Sequence, residues 1–116
     1  MVFTKKLCYT DSKGTFEPIN KEDIPMQLTV RQPSASEDAK HYTTERLRGE
    51  YLIETVFAPD DAILTYSNFD RIIAGGVMPV SKSVELVGCK ELASDTFLQR
   101  REMGVINIGG KGKIAV

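Results

Sequence analysis

The sequence lacks an excess of charge of either sign. Its 15 Lys and Arg residues nearly balance 16 Asp and Glu residues, which leaves a formal net charge of -1 although charged residues make up 27% of the chain. Non-specific attraction to nucleic acid or to an anionic membrane surface needs a strongly basic surface. We therefore expect neither nucleic acid nor a membrane as a partner.

Cysteine is also scarce. Cys8 and Cys89 are the two cysteines, they lie far apart, and neither belongs to a CxxC pair. This spacing argues against a zinc knuckle or a disulfide framework and favours a reduced, cytoplasmic setting. Because Cys89 in "LVGCKELA" has no histidine nearby in the sequence, we expect a small buried or half-buried side chain and not a nucleophile.

Histidine occurs once, at His41. A lone imidazole can act as a base or a metal ligand, but it cannot form the sites with two or three histidines that zinc or iron usually takes. The surrounding stretch, "EDAKHYTTE", is polar. We expect an exposed histidine near a helix end without a chemical role.

Long hydrophobic runs are missing as well. No apolar segment of signal-peptide length follows Lys5 and Lys6, and none could cross a bilayer. A chain of 116 residues forms one domain at most. The expectation is a soluble, unprocessed domain or a part of one.

The first half of the chain predicts little regular structure apart from two helices. Residues 1–25 are polar and interrupted by Gly14, Pro18 and Pro25, which predicts a mobile extension. Acidic residues directly follow Ser36 and Thr44, as at helix N-termini. The pattern predicts short helices over residues 36–41 and 44–50.

Beyond Gly49 the pattern becomes that of β-structure. Apolar and β-branched residues predict strands over residues 51–57, 62–67, 71–77, 84–87, 97–102, 105–108 and 113–116, with a turn at residues 59–61. Short strands separated by turn signals are typical of an antiparallel β-sandwich or barrel, and glycines within strands suit its bulges and corners. We therefore predict a mainly β fold preceded by short helices.

The glycine-rich stretch "GVINIGGKGKIAV" does not fit a phosphate-binding loop. A Walker loop requires a Ser or Thr after its Gly-Lys, whereas Lys111 is followed by Gly112. A dinucleotide fingerprint opens a helix, whereas this stretch leads into a predicted strand. A β-turn is the better interpretation.

Four charged residues are the candidates for binding. Arg100 and Arg101 would lie on opposite faces of a predicted strand, so that one of them points inward or toward a partner. Asp70 and Arg71 could pair at a barrel mouth, or Arg71 could bind a carboxylate with two hydrogen bonds. An ordinary ion pair at a strand end or a subunit contact is the simpler interpretation. Arg71 and Arg101 are the substrate-binding candidates, and no catalytic residue or metal ligand is identified.

Three blocks resemble one enzyme family in the same order: "DAKHYTTERLRGEYLIETVF", "LTYSNFDRIIAGGVMPV" and "FLQRREMGVINIGGKGKIAV". Residues 26–116 are similar to the N-terminal part of 5-keto-4-deoxyuronate isomerase, also called 4-deoxy-L-threo-5-hexosulose-uronate ketol-isomerase. The resemblance implies a double-cupin fold and a zinc-containing hexamer of pectin and uronate breakdown, which interconverts 5-keto-4-deoxyuronate and 2,5-diketo-3-deoxygluconate. Residues 26–116 would then form an incomplete N-terminal cupin, with residues 1–25 as an unmatched extension.

The same resemblance implies that the metal ligands belong to the C-terminal cupin. A ketol isomerisation needs a Lewis acid or an oxyanion donor together with a base. We therefore expect a truncated chain that binds no zinc and is inactive alone, with an adhesive strand at residues 113–116. The alternative is a non-catalytic β-barrel module for binding or assembly, which would use Asp70, Arg71, Arg100 or Arg101.

Overall fold

The computed structural model describes residues 26–116. Its elements, in chain order, are β1 (Met26–Arg31), α1 (Ser36–Ala39), α2 (Thr44–Tyr51), β2 (Ala62–Ser67), β3 (Ile72–Val77) and a short 3-10 helix (Lys90–Leu92). The prediction of a mobile extension over residues 1–25 lies outside the described residues. Within the described range, none of the helices has the length and apolar character needed to span a membrane.

The three strands form one open sheet in the order β1-β2-β3. β2 is central: it runs parallel to β1, with Leu28 opposite Leu64, and antiparallel to β3, with Leu64 opposite Gly75. A parallel pair cannot be joined by a tight turn, and the segment that contains both helices supplies the longer connection. The mainly β character is confirmed. The predicted antiparallel barrel or sandwich is not seen within residues 26–116, whose sheet is open and contains one parallel pair.

Both predicted helices are present. α2 begins after Thr43, whose Oγ1 accepts a hydrogen bond from the Arg46 backbone N–H at 3.3 Å and so caps the helix. α1 is a single turn that ends at Ala39, two residues before the predicted end. The sheet also contacts the end of α2, because the Arg31 guanidinium of β1 donates to the carbonyl of Leu52 at 2.6 Å and to that of Glu50 at 3.4 Å.

The strand predictions are confirmed at β2 and, apart from one residue, at β3. The turn at residues 59–61 is also confirmed, where the Asp61 N–H donates to the Ala58 carbonyl at 3.2 Å. β3 begins at Ile72 and not at Arg71, because Arg71 adopts a positive φ of 56° in the preceding turn. This conformation ends the turn and is incompatible with an extended strand.

Five of the predicted strands do not form in the described chain: 51–57, 84–87, 97–102, 105–108 and 113–116. Alternation of apolar residues reports the burial of alternate side chains, whereas a strand also needs a neighbour for its backbone hydrogen bonds. Val84 and Leu86 illustrate the difference, since both are buried although their segment is irregular. Conversely, β1 was not predicted, although its half-buried and exposed side chains alternate from Met26 to Val30.

The core lies between the central strand and an irregular segment, residues 84–97. Its buried apolar side chains come from these two parts of the chain: Ala62, Leu64, Val84, Leu86, Leu92 and Phe97. Half-buried residues of β1 and β3 pack around them, including Leu28, Ile73 and Val77. The segment 84–97 is therefore part of the hydrophobic core, although it has almost no regular secondary structure.

Candidate functional site

Among the four charged candidates, Arg101 is the one whose side chain lies against an aromatic ring. Its guanidinium carbon lies 5.3 Å from the centroid of the Tyr66 ring, near the end of β2, and its side chain is half-buried. A cation over an aromatic face is stabilised by the ring electrons. None of the ion pairs within residues 26–116 involves Arg101. Within this part of the chain no ion pair occupies the guanidinium, whose N–H groups are the kind that bind a carboxylate.

Arg100 and Arg101 do not lie on a strand, so the prediction that they occupy its opposite faces does not apply. Residues 97–100 form a turn in which the Gln99 N–H donates to the Thr96 carbonyl at 3.2 Å. Arg100 is exposed, whereas Arg101 is half-buried. The two arginines therefore differ in exposure, and the prediction that one of them points inward or toward a partner stays a prediction.

Asp70 and Arg71 lie in the exposed turn between β2 and β3. No ion pair joins them among residues 26–116, so of the alternatives given above the pairing of these two charges is not seen there. No hydrogen bond, ion pair or ring contact joins Arg71 to Arg101 in this part of the chain. The structure therefore does not assemble the two substrate-binding candidates into one group of contacting side chains.

His41 is exposed in the turn between α1 and α2, as predicted. Its backbone N–H donates to the Asp38 carbonyl at 3.0 Å, and its side chain lines an open surface depression with Asp38, Tyr42 and Arg46. The Arg46 guanidinium stacks over the Tyr42 ring at 3.8 Å. Because the depression is open to solvent, its charged groups are screened.

Cys89 is a free, half-buried thiol, which confirms the prediction of a half-buried side chain. Burial raises the pKa of this thiol above its ordinary value. A higher pKa reduces the fraction of thiolate at neutral pH, and the thiolate is the nucleophilic form. The environment of Cys89 therefore opposes nucleophilic reactivity.

Asp60 has the most strongly altered acidity of the described residues. Its Oδ1 accepts hydrogen bonds from the backbone N–H groups of Val80 and Ser81, both at 2.7 Å, and from that of Lys82 at 3.2 Å. Its Oδ2 accepts from the Ser81 hydroxyl. These donors hold the pKa of Asp60 well below its usual range, and the Ser81 hydroxyl makes the largest contribution.

We call this arrangement the Asp60 clamp, and it joins the start of β2 to residues 80–82, which follow β3. The sequence indicated Asp60 only as a turn residue. An aspartate in a tight turn commonly accepts hydrogen bonds from nearby backbone N–H groups. Its donors here are about twenty residues away, and no local pattern could have identified them.

We expect Asp60→Asn to destabilise the fold in a pH-dependent manner. Because folding lowers the pKa of Asp60, its carboxylate stabilises the fold above the unfolded-state pKa of about 3.9, and this contribution is lost as pH falls toward the folded-state pKa. The urea midpoint of the variant should lie below that of the native protein at pH 7, and the gap should narrow below about pH 4.

Asp70→Asn is the matched control, because it removes an exposed carboxylate to which no described group donates. It should leave the urea midpoint nearly unchanged at both pH values. If the difference in urea midpoint between Asp60→Asn and the native protein stayed constant from pH 7 to pH 3, the charge of Asp60 would not contribute to stability.

The described residues do not fit the zinc that the resemblance implies for the family. Among residues 26–116 there is no group of three or more His, Cys, Asp or Glu side chains able to hold a metal ion. His41 lies in the turn between α1 and α2, whereas Cys89 directly precedes the 3-10 helix. We therefore derive no chemical step through a metal from this part of the chain.

Comparison with known proteins gives several matches of similar strength. The 4-deoxy-L-threo-5-hexosulose-uronate ketol-isomerase of Lacticaseibacillus paracasei is 51% identical over 93 residues, which are 80% of this chain and 33% of that enzyme. The enzyme of the same name from Lachnoclostridium phytofermentans is 48% identical over 89 residues, or 77% of this chain and 32% of that enzyme. The Yersinia pseudotuberculosis enzyme is 53% identical over 92 residues, with 77% and 33% covered. No family model matches the chain.

The chain spans about a third of the length of these curated relatives. Identity near one half over about 90 residues is nevertheless extensive. It confirms the resemblance to the 4-deoxy-L-threo-5-hexosulose-uronate ketol-isomerases, as a match between about four fifths of this chain and one third of those enzymes.

Proposed function

We propose that this chain acts as the N-terminal part of a 4-deoxy-L-threo-5-hexosulose-uronate ketol-isomerase. The observation that carries the proposal is the identity of 48% to 53% with enzymes of that name. In this proposal residues 26–116 build part of a first cupin domain. The intact protein would interconvert 5-keto-4-deoxyuronate and 2,5-diketo-3-deoxygluconate in the cytoplasm, as a step of pectin and uronate breakdown.

The chain would supply scaffold and no metal ligands. The catalytic zinc and the proton-transferring groups would belong to the two thirds of the family protein that have no counterpart here, and the complete enzyme would be a hexamer. The lack of a metal-binding group among residues 26–116 supports this division of roles. The chain alone is then expected to show no isomerase activity.

We propose that Arg101 is the residue of this chain that binds the carboxylate, which is the anionic group of a uronate. Its support is the guanidinium held against the Tyr66 ring, which takes part in none of the ion pairs between described residues. Arg71 is a weaker candidate because it is exposed and no side chain among the described residues orients it.

A chimera tests the proposed function. The 93 matching residues of the Lacticaseibacillus paracasei enzyme would be replaced by the corresponding residues of this chain, and isomerase activity would be measured on the ketouronate. We expect the chimera to be active, because a segment at 51% identity should preserve the core that supports the rest of the enzyme. The purified 116-residue chain should be inactive in the same assay.

The unmodified Lacticaseibacillus paracasei enzyme is the positive control. A chimera that folds and binds zinc but is inactive would contradict the proposal and favour the non-catalytic module. Turnover by the chain alone would also contradict it, because the chain would then contain a complete active site.

A further inference from the structure

The Tyr66 ring has a fixed place in the sheet. Tyr66 lies in the central strand β2, opposite Val30 of β1 and Ile73 of β3. Its side chain is half-buried and packs against the hydrophobic core. A strand paired on both sides and a ring packed against a core leave few alternative positions for the side chain. The ring is therefore a rigid surface on which another side chain can be ordered.

The Arg101 guanidinium, in contrast, comes from a part of the chain without regular structure. Residues 101–108 form neither helix nor strand, and an arginine side chain has many rotamers when nothing restrains it. The guanidinium carbon lies 5.3 Å from the centroid of the Tyr66 ring, which is within the range of a cation–π contact. Among the described residues, the contact with Tyr66 is thus the interaction that restrains the guanidinium.

A second arginine of the described chain also lies over a tyrosine ring, but its surroundings differ. The Arg46 guanidinium carbon is 3.8 Å from the centroid of the Tyr42 ring. The Arg46 side chain is 58% exposed, and its Nε lies 3.9 Å from a carboxylate oxygen of Glu50. Arg101 is half-buried, and it takes part in none of the ion pairs between described residues. A cation is attracted more strongly to an aromatic ring where it is partly withdrawn from water.

We infer that Tyr66 is a positioning residue, and that the Arg101–Tyr66 pair makes binding depend on a carboxylate group of the ligand. This inference rests on the proposed function, in which Arg101 binds the carboxylate of a uronate. A guanidinium presents its N–H donors as a planar fork that matches the two oxygens of a carboxylate. Holding this fork in place before the ligand arrives reduces the side-chain freedom that is lost on binding. Tyr66 therefore acts on affinity through Arg101.

Nuclear magnetic resonance on the full chain tests the inference without any enzyme activity. The probes are D-galacturonate and D-galactose, which has a hydroxymethyl group in place of the carboxylate, and the signal is that of the Arg101 Nε–H group. We expect galacturonate to shift this signal with saturation and galactose to leave it unchanged. In Tyr66→Leu the dissociation constant for galacturonate should rise at least about fivefold, because the fork is no longer held in advance. Tyr66→Phe should restore the native value, since the contact uses the face of the ring.

Tyr42→Leu is the matched control, because it removes the ring beneath Arg46 and leaves the contact of Arg101 in place. It should not alter the binding of galacturonate at Arg101, and circular dichroism should show that both leucine variants keep the native fold. A measurement on the native chain needs no variant: nuclear Overhauser contacts should join the Tyr66 ring protons to the side-chain protons of Arg101. Absence of these contacts, no galacturonate binding, an equal shift by galactose, or an unchanged dissociation constant in Tyr66→Leu would each overturn the inference.

Kinetic measurements on the chimera described above separate this inference from the proposed function. Tyr66→Leu in the chimera should raise KM for the ketouronate at least about fivefold and change kcat by less than about twofold, because the lost contact serves binding and not the chemical step. Tyr66→Phe should bring KM back to the value of the chimera. An active chimera in which Tyr66→Leu does not raise KM would overturn the inference and leave the proposed function intact. An inactive chimera, together with Tyr66-dependent binding of galacturonate, would support the inference while the proposed function fails.

Discussion

Replacing Phe97 by alanine should lower the free energy of unfolding by about 3–5 kcal/mol. The ring is 6% exposed and belongs to the buried cluster that includes Leu64, Leu86 and Leu92. The substitution removes most of a large apolar side chain from contact with these neighbours, and it leaves a cavity that the surrounding residues fill only partly. Urea unfolding at pH 7, followed by circular dichroism, measures the change.

A loss of this size is large compared with the total stability of a small domain, about 5–15 kcal/mol. A substantial fraction of the variant would therefore be unfolded before any urea is added if the native chain lies near the lower limit. Titration should then begin in a stabilising osmolyte such as sucrose, which favours the compact state by its exclusion from the protein surface.

Phe69→Ala is the matched control. Phe69 is 50% exposed, and its ring contacts that of Tyr51 at a centroid distance of 6.0 Å. Its loss should cost about 1 kcal/mol, which is the usual contribution of an aromatic pair. Similar losses for the two variants would show that residues 84–97 do not close the core against β2.

Features that depend on residues close together in the chain could be predicted from the sequence. Short-range signals were read correctly: the N-terminal patterns at Ser36 and Thr44 correspond to α1 and α2, and the turn at residues 59–61 precedes β2. Capping and turn preferences act over about four residues, so they can be seen in a short stretch of sequence.

Features that depend on distant partners were missed or misread. β1 is a strand because it lies beside β2, more than thirty residues later, and the stretch at residues 84–87 is not a strand because no neighbour pairs with it. The same limitation applies to the candidate site. The ring that orients Arg101 belongs to Tyr66, and the donors of the Asp60 clamp follow β3, so both arrangements appear only after the chain has folded.

Gly76→Ala should destabilise the protein by about 1–3 kcal/mol, the usual range for overpacking a well-packed site. Gly76 lies in β3 and is buried. A Cβ atom at this position would collide with the Phe57 ring and would lie 2.5 Å from the Val56 carbonyl oxygen. The ring could rotate away, but the carbonyl belongs to the backbone, so residues 56–57 would have to move away from the sheet.

Two other glycines separate this steric effect from the general effect of replacing glycine. In every Gly→Ala variant the unfolded chain loses conformational freedom, which by itself favours the folded state. Gly104 and Gly49 have no atoms within 4 Å of an added Cβ. Gly104→Ala should therefore change stability little, and Gly49→Ala, within α2, should increase it by roughly 0.5–1 kcal/mol, because alanine is the better helix former.

The comparison of Gly76→Ala with Gly104→Ala by urea unfolding thus isolates the contact between β3 and residues 56–57. This contact matters for the architecture because residues 56–57 lead into the turn that holds Asp60, and the Asp60 clamp fixes the chain after β3. Because residues 56–57 lie against Gly76, moving them should also disturb the clamp. The stability difference between Gly76→Ala and the native protein should then shrink when both also carry Asp60→Asn. If the stability losses of Gly76→Ala and Asp60→Asn were strictly additive, the sheet and the clamp would be independent. If Gly76→Ala lost no more stability than Gly104→Ala, residues 56–57 would not pack on β3.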